Sequence, residues 1–350
     1  IVSNVRENLH YLDVSIFKHI LSGRTNTMKY TQIGSLKVSK ACLGCMGFGD
    51  ASQGMHSWTL SYEDSKKIIF HALESGINFF DTAMAYQSGT SEEYLGRAIK
   101  EYGHREDVVI ATKYTPKSDD SIDSRTYLTE CLNNSLRRLQ TDYIDLYIMH
   151  MWDYQTPIED TLEILNDFIK EGKIKEIGIS NCFAYQLAMA NTIAKERGLQ
   201  GFVSVQGHYN LIFREEEREM KRYCDEEGIS MTPYSALASG RLAKHPGETS
   251  QRLEQDTFAR GKYEASKDQD LEIIQRVEEL TSKHHVSMSE VSLSWLMSKV
   301  ASPVVGATKL KHVDTAVLAT ELELSEDEKQ YLEEPYQPHA LVGVMATNTK

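Results

Sequence analysis

Seven short apolar runs, each closed by a residue able to take part in chemistry, constrain this chain more than any other feature. Ile77-Asn78-Phe79-Phe80 ends in Asp81 with Tyr86 close behind, Val108–Thr112 ends in Lys113, and Ile144–Met149 ends in His150. Ile177-Gly178-Ile179 leads into Ser180-Asn181, Phe202–Val205 into Gln206, Ile229–Pro233 into Tyr234, and Pro303-Val304-Val305 into Gly306 and Thr308. From about residue 62 the runs alternate with amphipathic helical segments at intervals of roughly thirty residues, the spacing of a βαβ unit. They are apolar throughout rather than alternating, as suits parallel strands buried on both faces. The repeat predicts an α/β fold, a single-domain (β/α)8 barrel. Such a barrel gathers its strand-end residues on one face, where barrels of this kind do chemistry.

Local signals agree with this reading. Ser61, Thr90, Thr156, Ser287 and Ser325 each stand three residues before Asp64, Glu93, Glu159, Glu290 and Glu328. That is the capping box or its Asp variant, in which hydroxyl and carboxylate satisfy the free amides of a first helical turn. Pro157 follows Thr156, where a missing amide proton does no harm. Gly76, Gly172, Gly198 and Gly228 follow helical stretches, as left-handed terminators should. Residues 238–269 break the rhythm with Gly, Lys, Arg, Glu and Gln, and read as a long mobile loop after the seventh strand.

The 350 residues fit one barrel with insertions. The divisions read as an N-terminal extension over 1–27, the barrel over 28–338 and a tail over 339–350. The first 27 residues start with Ile1, lack the apolar core of a signal peptide and carry acids foreign to a transit peptide, so Met28 reads as the natural start. A net charge of -13 argues against a nucleic-acid or anionic-membrane partner. It also requires a local basic pocket for any anionic cofactor. No stretch approaches the roughly 18–20 apolar residues that span a bilayer. The five cysteines include one C-x-x-C pair, Cys42 and Cys45, with no second pair to complete a metal site. They read as free thiols of a reducing, cytoplasmic compartment, with no metal expected. The sequon Asn133-Asn134-Ser135 falls in a helix-like segment.

Asp81, Tyr86, Lys113 and His150 make chemical sense as a unit. A phenol with a pKa of about 10 is a poor acid or base at neutral pH, and a nearby ammonium favours the phenolate. Lys113 would supply that charge and Asp81 would hold the lysine charged and aimed. His150 would fix a carbonyl oxygen beside the tyrosine hydroxyl, giving acid catalysis with oxyanion stabilisation. Singly, each residue has a structural explanation as an ion-pair partner or a packed ring; together at strand ends they point to a site.

The motifs Asp81-Thr82-Ala83-Met84-Ala85-Tyr86, Ser91-Glu92, Leu95-Gly96, Ala111-Thr112-Lys113, Arg138-Leu139, Asp142–Leu146 with His150, Gly172-Lys173-Ile174 and Ile177–Asn181 are similar to those of the aldo-keto reductase superfamily. The resemblance runs from about residue 29 to 320 and sides with the microbial aldehyde and aryl-alcohol branch, related to channel β subunits. It implies a (β/α)8 barrel that uses NADPH, or NADH, to reduce an aldehyde or ketone reversibly. The glycines from Gly44 to Gly49 indeed lack the G-x-G-x-x-G spacing of a Rossmann fold. By position, Asp81, Tyr86, Lys113 and His150 match the catalytic tetrad, with Tyr86 the general acid. Ser180, Asn181 and Gln206 match the residues that hold the nicotinamide amide, and Tyr234 the ring that stacks on the nicotinamide. Ser235 and Leu237 fall in the pyrophosphate loop; Cys45, Met46 and Asp81 lie beside the cofactor. Gly306, Thr308, Lys309 and His312 fall in the last cofactor segment, with Thr308 and Lys309 at the 2′-phosphate.

Departures from the family pattern are specific. Gln87 stands where a glycine usually follows the tyrosine, Thr315 and Ala316 where an acid and an asparagine hold adenine, and Tyr234 where a tryptophan is common in this branch. Met55, His56, Trp58 and Trp152 are expected to shape an aromatic-lined substrate pocket. Potassium-channel β subunits resemble the same family and act as NADPH-binding partners, but typically carry asparagine at the position of His150. Lys113 as a Schiff-base nucleophile is disfavoured, because Asp81 would keep it protonated.

Overall fold

The computed structural model describes residues 27–119, 121–245, 248 and 261–348. The expectations for residues 1–26 and for most of 246–260 lie outside the described residues. A hairpin of β1 (Tyr30–Ile33) and β2 (Leu36–Ser39) precedes eight parallel strands: β3 (Cys42–Gly44), β4 (Phe79–Asp81), β5 (Val109–Tyr114), β6 (Ile144–Met149), β7 (Ile174–Ser180), β8 (Ser204–Gln206), β9 (Ser230–Met231) and β10 (Val304–Gly306). They run in the order β10-β3-β4-β5-β6-β7-β8-β9. Across the remaining edge, Ala301 N donates to Met231 O (3.1 Å) and Val304 N to Pro233 O (2.9 Å), so the sheet curls round on itself. The (β/α)8 barrel predicted from the repeat is the fold observed.

Helices α1 (Tyr62–Glu74), α2 (Thr90–Tyr102), α3 (Ser124–Leu139), α4 (Ile158–Lys170), α5 (Ala184–Glu196) and α6 (Met220–Glu227) each join successive strands. Helices α7 (Lys267–His284) and α8 (Met288–Lys299) lie between β9 and β10, followed by α9 (Leu310–Ala319), α10 (Glu326–Glu333) and the short α11 (Val344–Thr347).

Side chains two apart on a strand share a face, and here that period divides the barrel wall. Phe79, Val109, Ala111, Leu146 and Ile148 join one apolar cluster with Ile33, Leu36 and Val38 of the hairpin. The next residues in the same phase are Asp81, Lys113 and His150. The inner face therefore passes from apolar, at the end plugged by the hairpin, to polar at the strand C-termini. The alternate residues Phe80, Ile110, Tyr114, Tyr147 and Met149 pack in the larger cluster beneath the helices.

Three of the five expected caps form as read. Ser61 accepts from Asp64 N, while Ser287 and Ser325 form complete capping boxes with Glu290 and Glu328. The other two are corrected. Thr90 is already inside α2, whose cap is left-handed Gly89, and its hydroxyl donates back to Gln87 O (2.8 Å). Pro157, not Thr156, caps α4, and Thr156 Oγ1 instead pairs with Ser124 Oγ (3.2 Å). The stretch predicted as a loop over 238–269 carries regular structure at both of its described ends. A 3-10 turn spans Ala238–Ala243, and α7 starts at Lys267 with Asp270, Ile273, Ile274, Val277 and Leu280 buried.

Helices α2 and α3 approach so closely at Gly96 that an added Cβ would lie 2.4 Å from the Leu139 backbone. Backbone cannot move aside as a flexible side chain can. Gly96→Ala is therefore expected to destabilise the fold by about 2 kcal/mol or more, read as a lowered midpoint in urea unfolding; an unchanged midpoint would contradict this packing.

Candidate active site

The polar inner residues converge at the C-terminal rim of the barrel. Lys113 Nζ, fully buried, donates to Asp81 Oδ1 (2.5 Å) and to Thr82 O (2.8 Å), and lies 3.4 Å from the Tyr86 hydroxyl. Gln206 Nε2 donates to the second oxygen of Asp81 (2.9 Å). Both carboxylate oxygens are thus engaged, as a buried charge requires. The rings of Tyr86 and His150 meet edge-on, their centroids 5.8 Å apart.

The charges follow from this packing. Burial alone would push the Lys113 ammonium down, but Asp81 and the Tyr86 phenol outweigh it and raise its pKa to about 12. For Tyr86 burial wins in the other sense: its pKa goes up, with Lys113 offsetting only part of the rise. The simple expectation that Lys113 would depress the phenol is corrected, because the low-polarity surroundings penalise a phenolate more than one paired cation rewards it. Burial, reinforced by the Lys113 charge, brings His150 down to about 3, so its imidazole is neutral at physiological pH. The cleft presents a protonated phenol, a charged lysine and a neutral imidazole together.

On the neighbouring rim, Ser180 Oγ donates to Gln206 O (2.8 Å). Asn181 Nδ2 donates to Ser180 Oγ (2.8 Å) and His150 O (2.9 Å), and Asn181 Oδ1 accepts from the Tyr234 hydroxyl (2.9 Å). One network therefore joins the ends of β6, β7 and β8 to Tyr234. Beyond Tyr234 the chain carries left-handed residues at Ser235, Ala238, Ser239 and Gly240. Such a loop turns backbone amides inward as an anion cradle. In the same loop Arg241 Nη1 is buried without a hydrogen-bond partner, and Lys262 Nζ lies 4.9 Å over the Tyr234 ring. These cations answer the requirement for a basic pocket in an acidic chain, and the whole fits a phosphate-bearing dinucleotide.

Gly306 and Lys309 are exposed and Thr308 half-buried at the start of α9, where Thr308 N donates to His312 Nδ1 (3.2 Å). Ala316 is buried and the Thr315 hydroxyl donates to Lys311 O (2.7 Å) within the helix. Cys45 is buried and half-buried Met46 follows it in the turn after β3, which Ser91 Oγ fastens by donating to Cys45 O (2.8 Å). Ser235 and Leu237 sit in the left-handed loop. Cys42 and Cys45 are buried free thiols, and burial pushes both well up.

The expected substrate residues divide. The His56 and Trp58 rings pack at a tilt, centroids 5.0 Å apart, with Trp58 against Gly47 and the His56 amide bonded to Gln87 Oε1 (2.9 Å), next to Tyr86. Met55 is 83% exposed, so its side chain lies in solvent instead of lining a pocket. Trp152 is buried in the core, its backbone amide bonded to Asn181 O (3.3 Å).

Two rim features escaped the sequence reading. Tyr263 is fully buried, its hydroxyl 2.6 Å from His208 Nε2 and accepting from Asn210 Nδ2 (3.0 Å). His208 backs the Tyr234 ring in a near-parallel stack at 5.5 Å. His208 continues the two-residue phase of Ser204 and Gln206 past the strand end, which was a usable signal. The second is the C-terminal segment: Tyr154 OH donates to Asn348 O (3.2 Å) and Asn348 Nδ2 to Trp152 O (3.3 Å), beside the loop after β6.

Removing one member of a buried ion pair strands the other. Asp81→Ala is expected to cost about 3–5 kcal/mol of stability, measured by denaturant unfolding at neutral pH. A loss below about 1 kcal/mol would show that Lys113 is not held as a buried cation.

A profile of the Aldo/keto reductase family matches residues 41–337. The chain is 38% identical over 345 residues to the versiconal hemiacetal acetate reductase of Aspergillus parasiticus, covering 90% of this chain and 98% of that protein. It is 35% identical over 342 residues to a putative aryl-alcohol dehydrogenase of Schizosaccharomyces pombe, covering 88% and 95%. Among solved structures, a thermostable aldo-keto reductase in complex with the inhibitor epalrestat superposes with a TM-score of 0.70 at 28% identity, covering 88% of this chain and 100% of that one. Matched by profile, relatives and fold alike, the chain belongs to the aldo/keto reductase family and is an oxidoreductase acting on carbonyl and alcohol groups.

Proposed function

We propose that the protein reduces a small aldehyde or ketone with NADPH, and that Tyr86 donates the proton. The observation that carries this reading is geometric: the Tyr86 hydroxyl lies 3.4 Å from Lys113 Nζ, which Asp81 Oδ1 engages at 2.5 Å, with the His150 ring edge-on to Tyr86. When bound, the reduced nicotinamide supplies the hydride. The protein's part is to stabilise the oxygen as negative charge grows there. Tyr86 passes its proton to that oxygen, and the Lys113 charge stabilises the phenolate left behind. His150, neutral in this pocket, donates one N–H to the same oxygen and sets the carbonyl's direction. Gln206 keeps Asp81 turned toward the lysine. Ser180, Asn181 and Tyr234 hold and flank the nicotinamide, and the Ser235–Arg241 loop takes the pyrophosphate.

NADPH is favoured over NADH because Thr308 and exposed Lys309 stand at the start of α9, which no side chain caps, a setting that suits a 2′-phosphate. Thr315 and Ala316 offer adenine no outward polar group, so the phosphate contacts carry that end. The relatives named above are a reductase and a dehydrogenase, which favours a catalyst over a channel-type regulatory subunit. Lys113, with its pKa up at about 12, is a poor Schiff-base nucleophile. The packed rings of His56 and Trp58 favour a substrate with an apolar or aromatic frame. Five buried thiols suit a reducing compartment, and the cytoplasm is the setting we assign.

Tyr86→Phe is expected to lower kcat about 100-fold or more while NADPH still quenches intrinsic fluorescence; full turnover would overturn the assignment. The pH profile is a separate check. Tyr86 is the acid in its protonated form and its pKa is raised, so reduction should stay level through neutral pH. It should fall only as pH climbs past the ordinary phenol value of about 10. His150, down at about 3, should give no break between pH 5 and 8. A break there that vanishes in His150→Asn would refute the neutral imidazole.

A further inference from the structure

The residue after Tyr86 does work that its backbone would not suggest. Gln87 and Ser88 both adopt left-handed conformations, with φ 47° and φ 55°, which side chains rarely tolerate. Yet Gln87 is buried, and its amide is fully used. Nε2 faces the carbonyls of Asp50 (3.0 Å), Gln53 and His56 (2.9 Å) and the Thr59 hydroxyl (3.4 Å), while Oε1 accepts from His56 N (2.9 Å). An amide has two N–H groups, so this ring of acceptors more than saturates it. All these partners lie in the loop of residues 50–59, about thirty positions earlier in the chain.

The loop is shaped to receive this side chain. Gly49 (φ 135°) and Gly54 (φ 71°) press against Gln87: an added Cβ at Gly49 would sit 2.8 Å from Gln87 Cβ, and one at Gly54 would sit 2.7 Å from Gln87 Cα. A second tie runs alongside, since Asp50 N donates to Thr90 Oγ1 (3.0 Å) and Thr90 Oγ1 donates to Gln87 O (2.8 Å). The loop carries the packed His56 and Trp58 rings, and His56 bonds the Gln87 amide directly beside Tyr86. Within the loop, Thr59 Oγ1 donates to Gly49 O and Ser52 N to Asp50 Oδ1. Gln87 is thus the side chain that joins this wall of the cleft to the turn bearing Tyr86.

We infer that Gln87 is a positioning residue that fixes the 50–59 loop against the Tyr86 turn and thereby sets which carbonyl compounds the cleft accepts. It touches no reacting atom; it acts through His56, Trp58 and the path of the loop. The strained backbone accompanies the same role, since in this conformation the amide reaches the ring of carbonyls. The substrate part rests on the reductase reading, and the loop part does not.

Two variants separate these parts. Gln87→Gly suits φ 47° and should fold, as its melting curve will report. Gln87→Glu keeps the length but sets carboxylate oxygens against carbonyl oxygens. Without cofactor or substrate, hydrogen exchange at the amides of residues 50–59 should quicken about tenfold or more in both variants, with the α8 amides unaffected. Trp58 emission should shift to the red. In Gln87→Glu, acidification that protonates the carboxyl restores a donor and should bring the protection of residues 50–59 back toward that of the wild type at the same pH. In turnover of an aromatic aldehyde with NADPH, KM should rise about tenfold while kcat changes less than about threefold. Wild-type exchange in Gln87→Gly would overturn the inference. Faster exchange with unchanged KM would overturn its positioning role. A wild type that turns over no carbonyl would overturn the reductase reading alone, leaving exchange to decide the loop.

Discussion

The buried contact between Asp81 and Lys113 is the constraint around which the rest of the site is arranged. A lysine with no solvent exposure would ordinarily lose its proton, since desolvation disfavours the charged form. It keeps the proton because Asp81 lies 2.5 Å away and because Thr82 O and the Tyr86 hydroxyl take part of the charge. Asp81 in turn needs its second oxygen satisfied, and Gln206 supplies the donor from the opposite side of the barrel. Strands β4, β5 and β8 must therefore end level with one another. A slip of one residue in any of them would turn its polar end outward into the helix layer.

The closed end of the barrel makes that charge matter. Ile33, Leu36 and Val38 of the hairpin pack on Phe79, Val109, Ala111 and Leu146, one or two steps below the ion pair on the same strands. Water is thus excluded from beneath, and the low polarity that burdens Lys113 also lifts Tyr86 and depresses His150. The hairpin turn is itself tied to the wall: Ser35 N donates to Glu176 Oε1 (2.7 Å), and Gly34, with φ 54°, leaves the room that this carboxylate occupies.

Much of this was legible in the sequence because strand periodicity is local. Asp81, Lys113, His150, Ser180 and Gln206 could be placed on one rim from apolar runs alone, and Ser61, Ser287 and Ser325 announced their helices by a three-residue spacing. Tertiary context decided the rest. Thr90 and Thr156 have the capping pattern, yet both hydroxyls are claimed by other partners, Gln87 O and Ser124. Tyr263 reaches His208 across 55 positions, and Gln87 meets a loop about thirty residues away; no spacing rule encodes such contacts. Chemistry was misread in one respect, since the sign of the Tyr86 shift depends on how deeply the ring is buried rather than on which cation stands nearby.

Tyr86 poses a further problem, because it is borne on a loop rather than a strand and still must stay within reach of Lys113. The first turn of α2 supplies the restraint. Ser91 Oγ joins Thr82 Oγ1 (2.9 Å) to Cys45 O (2.8 Å), closing the chain on either side of the tyrosine. Glu92, fully buried, accepts from Thr112 Oγ1 and from Arg138 Nε, both at 2.6 Å, and so pins the helix start to the strand that carries Lys113. Thr112 and Lys113 are adjacent and point to opposite faces of β5. One anchors the tyrosine's helix from outside the barrel and the other meets its hydroxyl from within. The strand therefore fixes the phenol's position and its electrostatic surroundings through two consecutive residues, which gives a loop-borne acid the precision of a strand-borne one.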